Sequence, residues 1–202
     1  MATPDFITQL RKHIGHAPLW LPGVTTVILR EAPATSTEAP AASTEAPATS
    51  TEPPHHPQDL SKIQLSLEVL LVRRSDNGQW TPVTGISDPN ENPHTTAIRE
   101  AKEETGLNIR IEGLLGTGAV GPVTYSNGDI ASFLDVALRA SVVGSDIPII
   151  GDEESTAVRW HPVADLPRMK PRFHMLIGLA VAHIASQSPG TPGFTPVIGY
   201  EC

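Results

Sequence analysis

The stretch GISDPNENPHTTAIREAKEETGL, Gly85 to Leu107, restricts the fold more than any other part of this chain. Asn92 can serve as an N-cap, Pro93 suits the first helical position, and Gly106 supplies a left-handed stop, so a helix over Pro93 to Thr105 is predicted. At 100° per residue, Ala97, Ile98, Ala101 and Thr105 are expected on the side that meets a sheet, with Glu100, Glu103 and Glu104 together on the other. Like charges at helical spacing are unfavourable, and the one partner along the helix, Arg99 four residues before Glu103, offsets only about 0.3–0.5 kcal/mol of this. Two readings follow. Either the acids form a solvated helix face, or they are there for a hard divalent cation, which takes oxygen ligands and often bridges protein carboxylates to substrate phosphates.

The text upstream separates these readings. From Gly85 the chain runs five residues to Glu91, seven more to Arg99-Glu100, and then Ala101-Lys102-Glu103-Glu104-Thr105-Gly106-Leu107. This spacing resembles the signature of the Nudix hydrolases, Gly-x5-Glu-x7-Arg-Glu-U-x-Glu-Glu-x-Gly-U with U aliphatic, at every specified position. Ala101 is the smallest residue that fills a U position. One residue outside the signature departs from a common pattern: many members have Gly-Gly where this chain has Thr84-Gly85.

The resemblance implies an α/β/α sandwich and an enzyme that hydrolyses a nucleoside diphosphate linked to another group, with Mg²⁺ or Mn²⁺. It implies Glu100, Glu103 and Glu104 as metal ligands, with the Gly85 carbonyl completing the set. One of the acids would also activate the attacking water, and Arg99 and Glu91 would pair to hold the acids in place. It further points to Glu153 or Glu154, in GDEESTAVRW, as an additional catalytic or metal-binding glutamate; a charged surface turn is the alternative. Many members are dimers, which makes a homodimer one expected assembly. Two family markers point to different substrates. Pro122, fifteen residues beyond Leu107, matches ADP-ribose pyrophosphatases, and Tyr125, eighteen beyond, matches dinucleoside polyphosphate hydrolases.

The expected reaction is therefore water attack on phosphorus in the pyrophosphate linkage of a small nucleotide, either ADP-ribose-like or a nucleoside triphosphate. The alternatives are a Nudix-like module that binds or senses a nucleotide without turnover, and a scaffold whose acidic helix only solubilises its surface. Trp20, Trp80 and Tyr125 are candidates for stacking on a base, against the plainer reading that they pack in the core or at an edge.

Around the signature, the expected architecture is one α/β domain with a mixed sheet. Residues 1–32 supply a helix (Asp5 to Ile14) and a β-branched strand, GVTTVILRE. Residues 33–58 hold most of a repeat, APATSTE-APAASTE-APATSTE, whose prolines and lack of large apolar residues rule out a coiled-coil seam. They are read as a disordered or semi-stiff insert between the first two strands. Residues 59–186 carry the rest of the domain: LSLEVLLVRR, the signature helix, strands LNIRIEGLLG, DIASFLDVALRASVV and TAVRWHPV, and a closing helix from Arg172 to Ile184. Residues 187–202, rich in Pro and Gly, are read as an irregular tail.

Charge and composition exclude some functions. With 14 Lys+Arg against 22 Asp+Glu the net charge is −8, which argues against a broad basic surface for a nucleic-acid polymer but leaves small anionic substrates open. Cys202 is the only cysteine, so no internal disulfide or cysteine metal cluster can form. No apolar window approaches the ~18 residues of a membrane span, and the start of the chain has no leader-type apolar run. A cytoplasmic protein with no membrane partner is expected.

Overall fold

The structure is a computed structural model that describes residues 3–33, 66–125, 127–151, 153–187 and 193–200. The repeat insert and its expected disorder lie outside the described residues, apart from Pro33. In chain order the elements are α1 (Asp5–Ile14), β1 (Leu19–Glu31), β2 (Leu67–Arg74), β3 (Trp80–Thr81), β4 (Val83–Ile86) and α2 (Pro93–Thr105). They continue with β5 (Ile109–Thr124), β6 (Ile130–Val142), β7 (Ser155–Pro162), α3 (Pro171–Ser186) and β8 (Val197–Tyr200).

β1 organises the sheet because it is paired on both edges. Along one edge it runs parallel to β6 from Leu19↔Ala131 to Leu29↔Ser141. Along the other it meets β4 antiparallel over Gly23 to Thr26, then β2 antiparallel over Leu29 to Glu31. β7 and β3 extend the sheet from β2, and β5 and then β8 extend it from β6. This is the expected mixed sheet. The antiparallel β1–β2 pair also agrees with an insertion into what would otherwise be a short hairpin, and the amide of Ala32 donates to the Ser66 carbonyl at 2.8 Å.

Successive side chains of a strand point to opposite faces, and β1 is apolar on both. Val27 and Leu29 join Phe173, Leu176, Ile177, Ala180 and Val181 of α3. Val24 packs with Ala97 of α2, and Ile28 with Ala101. Helix α1 adds Ile7 over Leu21, Ile86 and Ala131. The result is helix, sheet, helix, as the fold class requires. Among the described residues no helix is long and apolar enough to cross a membrane.

The tail departs from its expected irregularity. Val197–Tyr200 forms β8, parallel to β5, and Tyr200 is buried. Glycine makes this docking possible: a Cβ on Gly116 would overlap the Val197 carbonyl, and one on Gly118 the Tyr200 ring. The Tyr200 hydroxyl donates to buried Asp135 at 2.7 Å, and Thr25 and Arg172 serve the same carboxylate at 2.9 and 2.8 Å. A Pro/Gly-rich sequence hides such a strand because its stabilisation comes from partners distant in the chain.

Candidate active site

Helix α2 starts and stops as its residues predict. Asn92 is extended at the N-cap, with its carbonyl accepting from the amides of Thr95 and Thr96, although its side chain makes no capping bond. Gly106 closes the helix in the left-handed conformation, φ 71°, its amide donating to the Lys102 carbonyl. Which side is buried differs from expectation. Ile98 is exposed, whereas Glu100 and Glu104 are buried beside Ala97 and Ala101. Residue 104 stands 700° after residue 97, within 20° of the same direction, so Glu104 shares the alanine side and only Glu103 faces solvent.

Arg99 binds the acids into one unit. Its Nε and Nη2 donate to the two carboxylate oxygens of Glu91 at 3.0 and 2.9 Å, a forked geometry in which both bonds are charge-assisted. Nη1 reaches Glu100 at 2.9 Å and Glu103 at 3.1 Å, and Nη2 also donates to the Ile86 carbonyl at 3.1 Å. Glu91 is further held by the Asp88 amide and the Thr96 hydroxyl. Arg99 accordingly holds the Glu91 carboxyl down at about 2, with those two bonds contributing in the same direction.

Glu100 is in the opposite situation. It is 4% exposed, and burial pushes its carboxyl up to about 7 despite the pull of Arg99, with Glu103 adding to the rise. Its side chain crosses Gly85 so closely that a Cβ there would collide with it. Gly85 lies on β4 opposite Val24 of β1, so the sheet fixes where Glu100 sits.

The loop after β6 closes the far end of the helix. The Ile149 amide donates to the Thr105 carbonyl at 3.0 Å and the Gly151 amide to the Glu104 carbonyl at 3.1 Å. The Glu154 carbonyl then accepts from the Ser75 amide at 2.7 Å. The stretch carrying Glu153 and Glu154 is thus tied to the C-terminal end of α2 and to the end of β2.

The three aromatic candidates divide. Trp20 is 60% exposed, on the same face of β1 as Val24 and four residues from it. Tyr125 stands half-exposed at the tip of the β5–β6 hairpin. Trp80 lies on the other face, packed against the α3-side core and edge-on to His161 at 4.7 Å, so the plainer core reading describes it. Two supporting residues, Thr96 and Ser87, were not singled out from the sequence. Thr96 lies five residues beyond Glu91, and its hydroxyl meets Glu91 and Ser87 only because the intervening loop turns back on the helix, which spacing alone does not give.

The donor set suits a hard divalent cation. Glu100, Glu103 and Glu104 offer only carboxylate oxygens, and a cation would favour the ionised form of buried Glu100, which burial opposes. Among the described residues no three acids converge tightly enough to make a ready-formed metal centre. Glu103, with its side chain 54% exposed, is the least enclosed of the three.

The NUDIX domain profile matches residues 63–177. A MutT-like protein of Streptomyces ambofaciens is 40% identical over 48 residues, 24% of this chain and 31% of that protein. The asymmetrical bis(5'-nucleosyl)-tetraphosphatase of Mus musculus is 49% identical over 43 residues, 21% of this chain and 29% of that protein. The matches thus span less than a third of the length of these curated relatives. Among solved structures, an ADP-ribose pyrophosphatase from Streptococcus suis superposes with a TM-score of 0.52 at 15% identity, covering 89% of this chain and 98% of its own. A NUDIX domain from Shewanella oneidensis complexed with ADP ribose gives 0.51 at 20% identity, covering 91% and 99%. These likenesses concern the fold, while the profile covers more than half of the chain, including the whole Gly85–Leu107 device: the chain belongs to the Nudix family.

Proposed function

We propose that this protein is a metal-dependent pyrophosphohydrolase of small nucleotides, using Mg²⁺ or Mn²⁺. The observation that carries the reading is the way Arg99 gathers Glu91, Glu100 and Glu103 while Glu100 is pressed against Gly85. A solvated acidic face needs neither a buried glutamate nor a glycine shaped to receive it. Glu100, Glu103, Glu104 and the Gly85 carbonyl would hold the metal, with Glu153 or Glu154 as an additional acid from the tied loop. The bound cation supplies charge neutralisation on the pyrophosphate oxygens and a lowered pKa for water.

The chain's own residues do the positioning. Arg99 and Glu91 keep the helix and the preceding loop in one arrangement, so the acids need little reorganisation when substrate arrives. Glu103, exposed and held at one oxygen, is suited to accept a proton from the attacking water. Trp20 offers a flat surface for the base about 13 Å from the Gly85 level, at ~3.3 Å per strand residue, on a sheet face that also exposes Pro22 and Leu134. Tyr125 is a second base contact from the hairpin tip. Supporting context comes from relatives named for ADP-ribose and dinucleoside tetraphosphate chemistry.

The test is product release from ADP-ribose, dinucleoside polyphosphates and nucleoside triphosphates, with and without Mg²⁺, for the wild type and Glu103→Gln. Metal-dependent turnover that falls at least 100-fold in Glu103→Gln is expected. Nucleotide affinity without turnover of any substrate would instead establish a binding module.

A further inference from the structure

We propose that Arg74 binds a phosphate of the substrate, and that Asp76 occupies its guanidinium until the phosphate arrives. This rests on the hydrolase reading above and adds a substrate contact outside the Gly85–Leu107 device.

The placement follows from the strand. Leu70 and Val72 of β2 pack with Ala101 of α2 in one cluster, and Arg74 is the next residue on that face. Glu104 lies just under one turn beyond Ala101, so the strand and the helix bring Arg74 and the acid end of α2 to the same end of the layer. The backbone fixes this proximity. The Arg74 amide donates to the Gln79 carbonyl at 3.0 Å, and the next amide, Ser75, donates to Glu154, in the loop whose Gly151 is bonded to Glu104. The hydrogen bond with Asp76 is the main cause of the raised Arg74 pKa, and the charges of Asp76 and Glu104 act in the same direction. Arg74 therefore stands at the acid end of α2, beside the loop that carries Glu154.

Its present partner has the shape of the proposed ligand. Nε donates to one oxygen of Asp76 at 2.9 Å and Nη2 to the other at 2.6 Å, the two-point fork that an arginine also offers a phosphate. Asp76 is only two residues away on an exposed turn, with its side chain 48% accessible. Exposed pairs of this kind are weak, so a phosphate with more charge can displace the carboxylate at little cost. Arg99 is in the opposite position, with its donors directed at Glu91, Glu100, Glu103 and the Ile86 carbonyl.

The experiment is steady-state kinetics of the full chain with Mg²⁺ on the nucleotide it turns over, for Arg74→Gln, Asp76→Asn and the double variant. Arg74→Gln is expected to raise KM roughly 10- to 100-fold, the range for losing a charged hydrogen-bonding partner. Asp76→Asn, which removes the competitor, is expected to lower KM a few-fold, and to have no such effect when Arg74 is already Gln. An unchanged KM in folded Arg74→Gln overturns the proposal. So does a raised KM in Asp76→Asn, which marks a merely structural pair, or an equal drop in both backgrounds, which marks a general field effect. If Arg74→Gln does not fold, Arg74→Lys replaces it, with an intermediate rise expected. If the wild type hydrolyses nothing, the hydrolase reading fails separately. Calorimetric titration with inorganic pyrophosphate and Mg²⁺ then decides, with affinity lost in the Arg74 variant expected and equal affinity, or none in the wild type, overturning the proposal.

Discussion

At Gly85 the backbone comes so close to the Glu100 side chain that even one methyl group would overlap it. The constraint is one of space and not of dihedral freedom, since residue 85 sits in a regular strand opposite Val24. Gly85→Ala is therefore expected to push Glu100 out of its slot, lowering stability by about 1–3 kcal/mol, the range for overpacking a filled interior. Thermal denaturation checks the stability, and nucleotide turnover is expected to fall with it, because the displaced carboxylate also leaves Arg99. An alanine variant with unchanged melting and activity would mean that the slot relaxes freely.

At the scale of elements, α3 is joined to the sheet by a pair of basic groups. Arg139 of β6 is buried and donates from Nε to Nδ1 of His183 at 3.0 Å, while Nη2 reaches Gln187 at 3.3 Å. The imidazole must be neutral to accept that bond. Burial lowers the His183 pKa below its ordinary value, Arg139 lowers it further, and Glu112 opposes them. The unfolded chain thus binds the proton more readily than the folded one. The interaction stabilises the fold fully above about pH 6.5, the ordinary histidine value, and is lost as pH falls through that value toward the lowered folded one. Melting temperature measured from pH 8 to 5 should fall less steeply in His183→Gln than in the wild type.

These elements also show where sequence was informative. Helix α2 was readable to its terminal residues because Asn92, Pro93 and Gly106 act locally, and the spacing of Gly85, Glu91, Arg99 and the three glutamates was readable as one device. Strand β8 was not, because Gly116, Gly118 and Asp135 supply its docking from other parts of the chain. The burial of Glu100 and Glu104 was also missed. Charged residues are usually assigned to solvent, and nothing local to α2 states that Gly85 would receive one of them.

For the molecule as a whole, the notable connection is the one between β1 and β2. The ladder pairs Glu31 with Leu67 and then closes through Ala32 and Ser66, so the two described ends that flank residues 34–65 lie side by side. Replacing them with a four-residue turn is expected to retain the fold and to raise stability by roughly 1–2 kcal/mol, from the logarithmic dependence of closure entropy on loop length. Chemical denaturation of the shortened chain checks this; a loss of stability would show that the segment contributes contacts of its own.

The strand at the opposite margin has a different consequence. β8 ends the sheet, pairs with β5 alone among the described residues, and turns Ile198 outward at 88% exposure. A bare edge with an apolar side chain invites strands from neighbouring molecules, and charge on such an edge is a common safeguard. Shelf life in concentrated solution should therefore depend on this margin. Ile198→Lys is expected to suppress concentration-dependent light scattering while leaving catalytic constants alone, separating the colloidal behaviour of the protein from its chemistry.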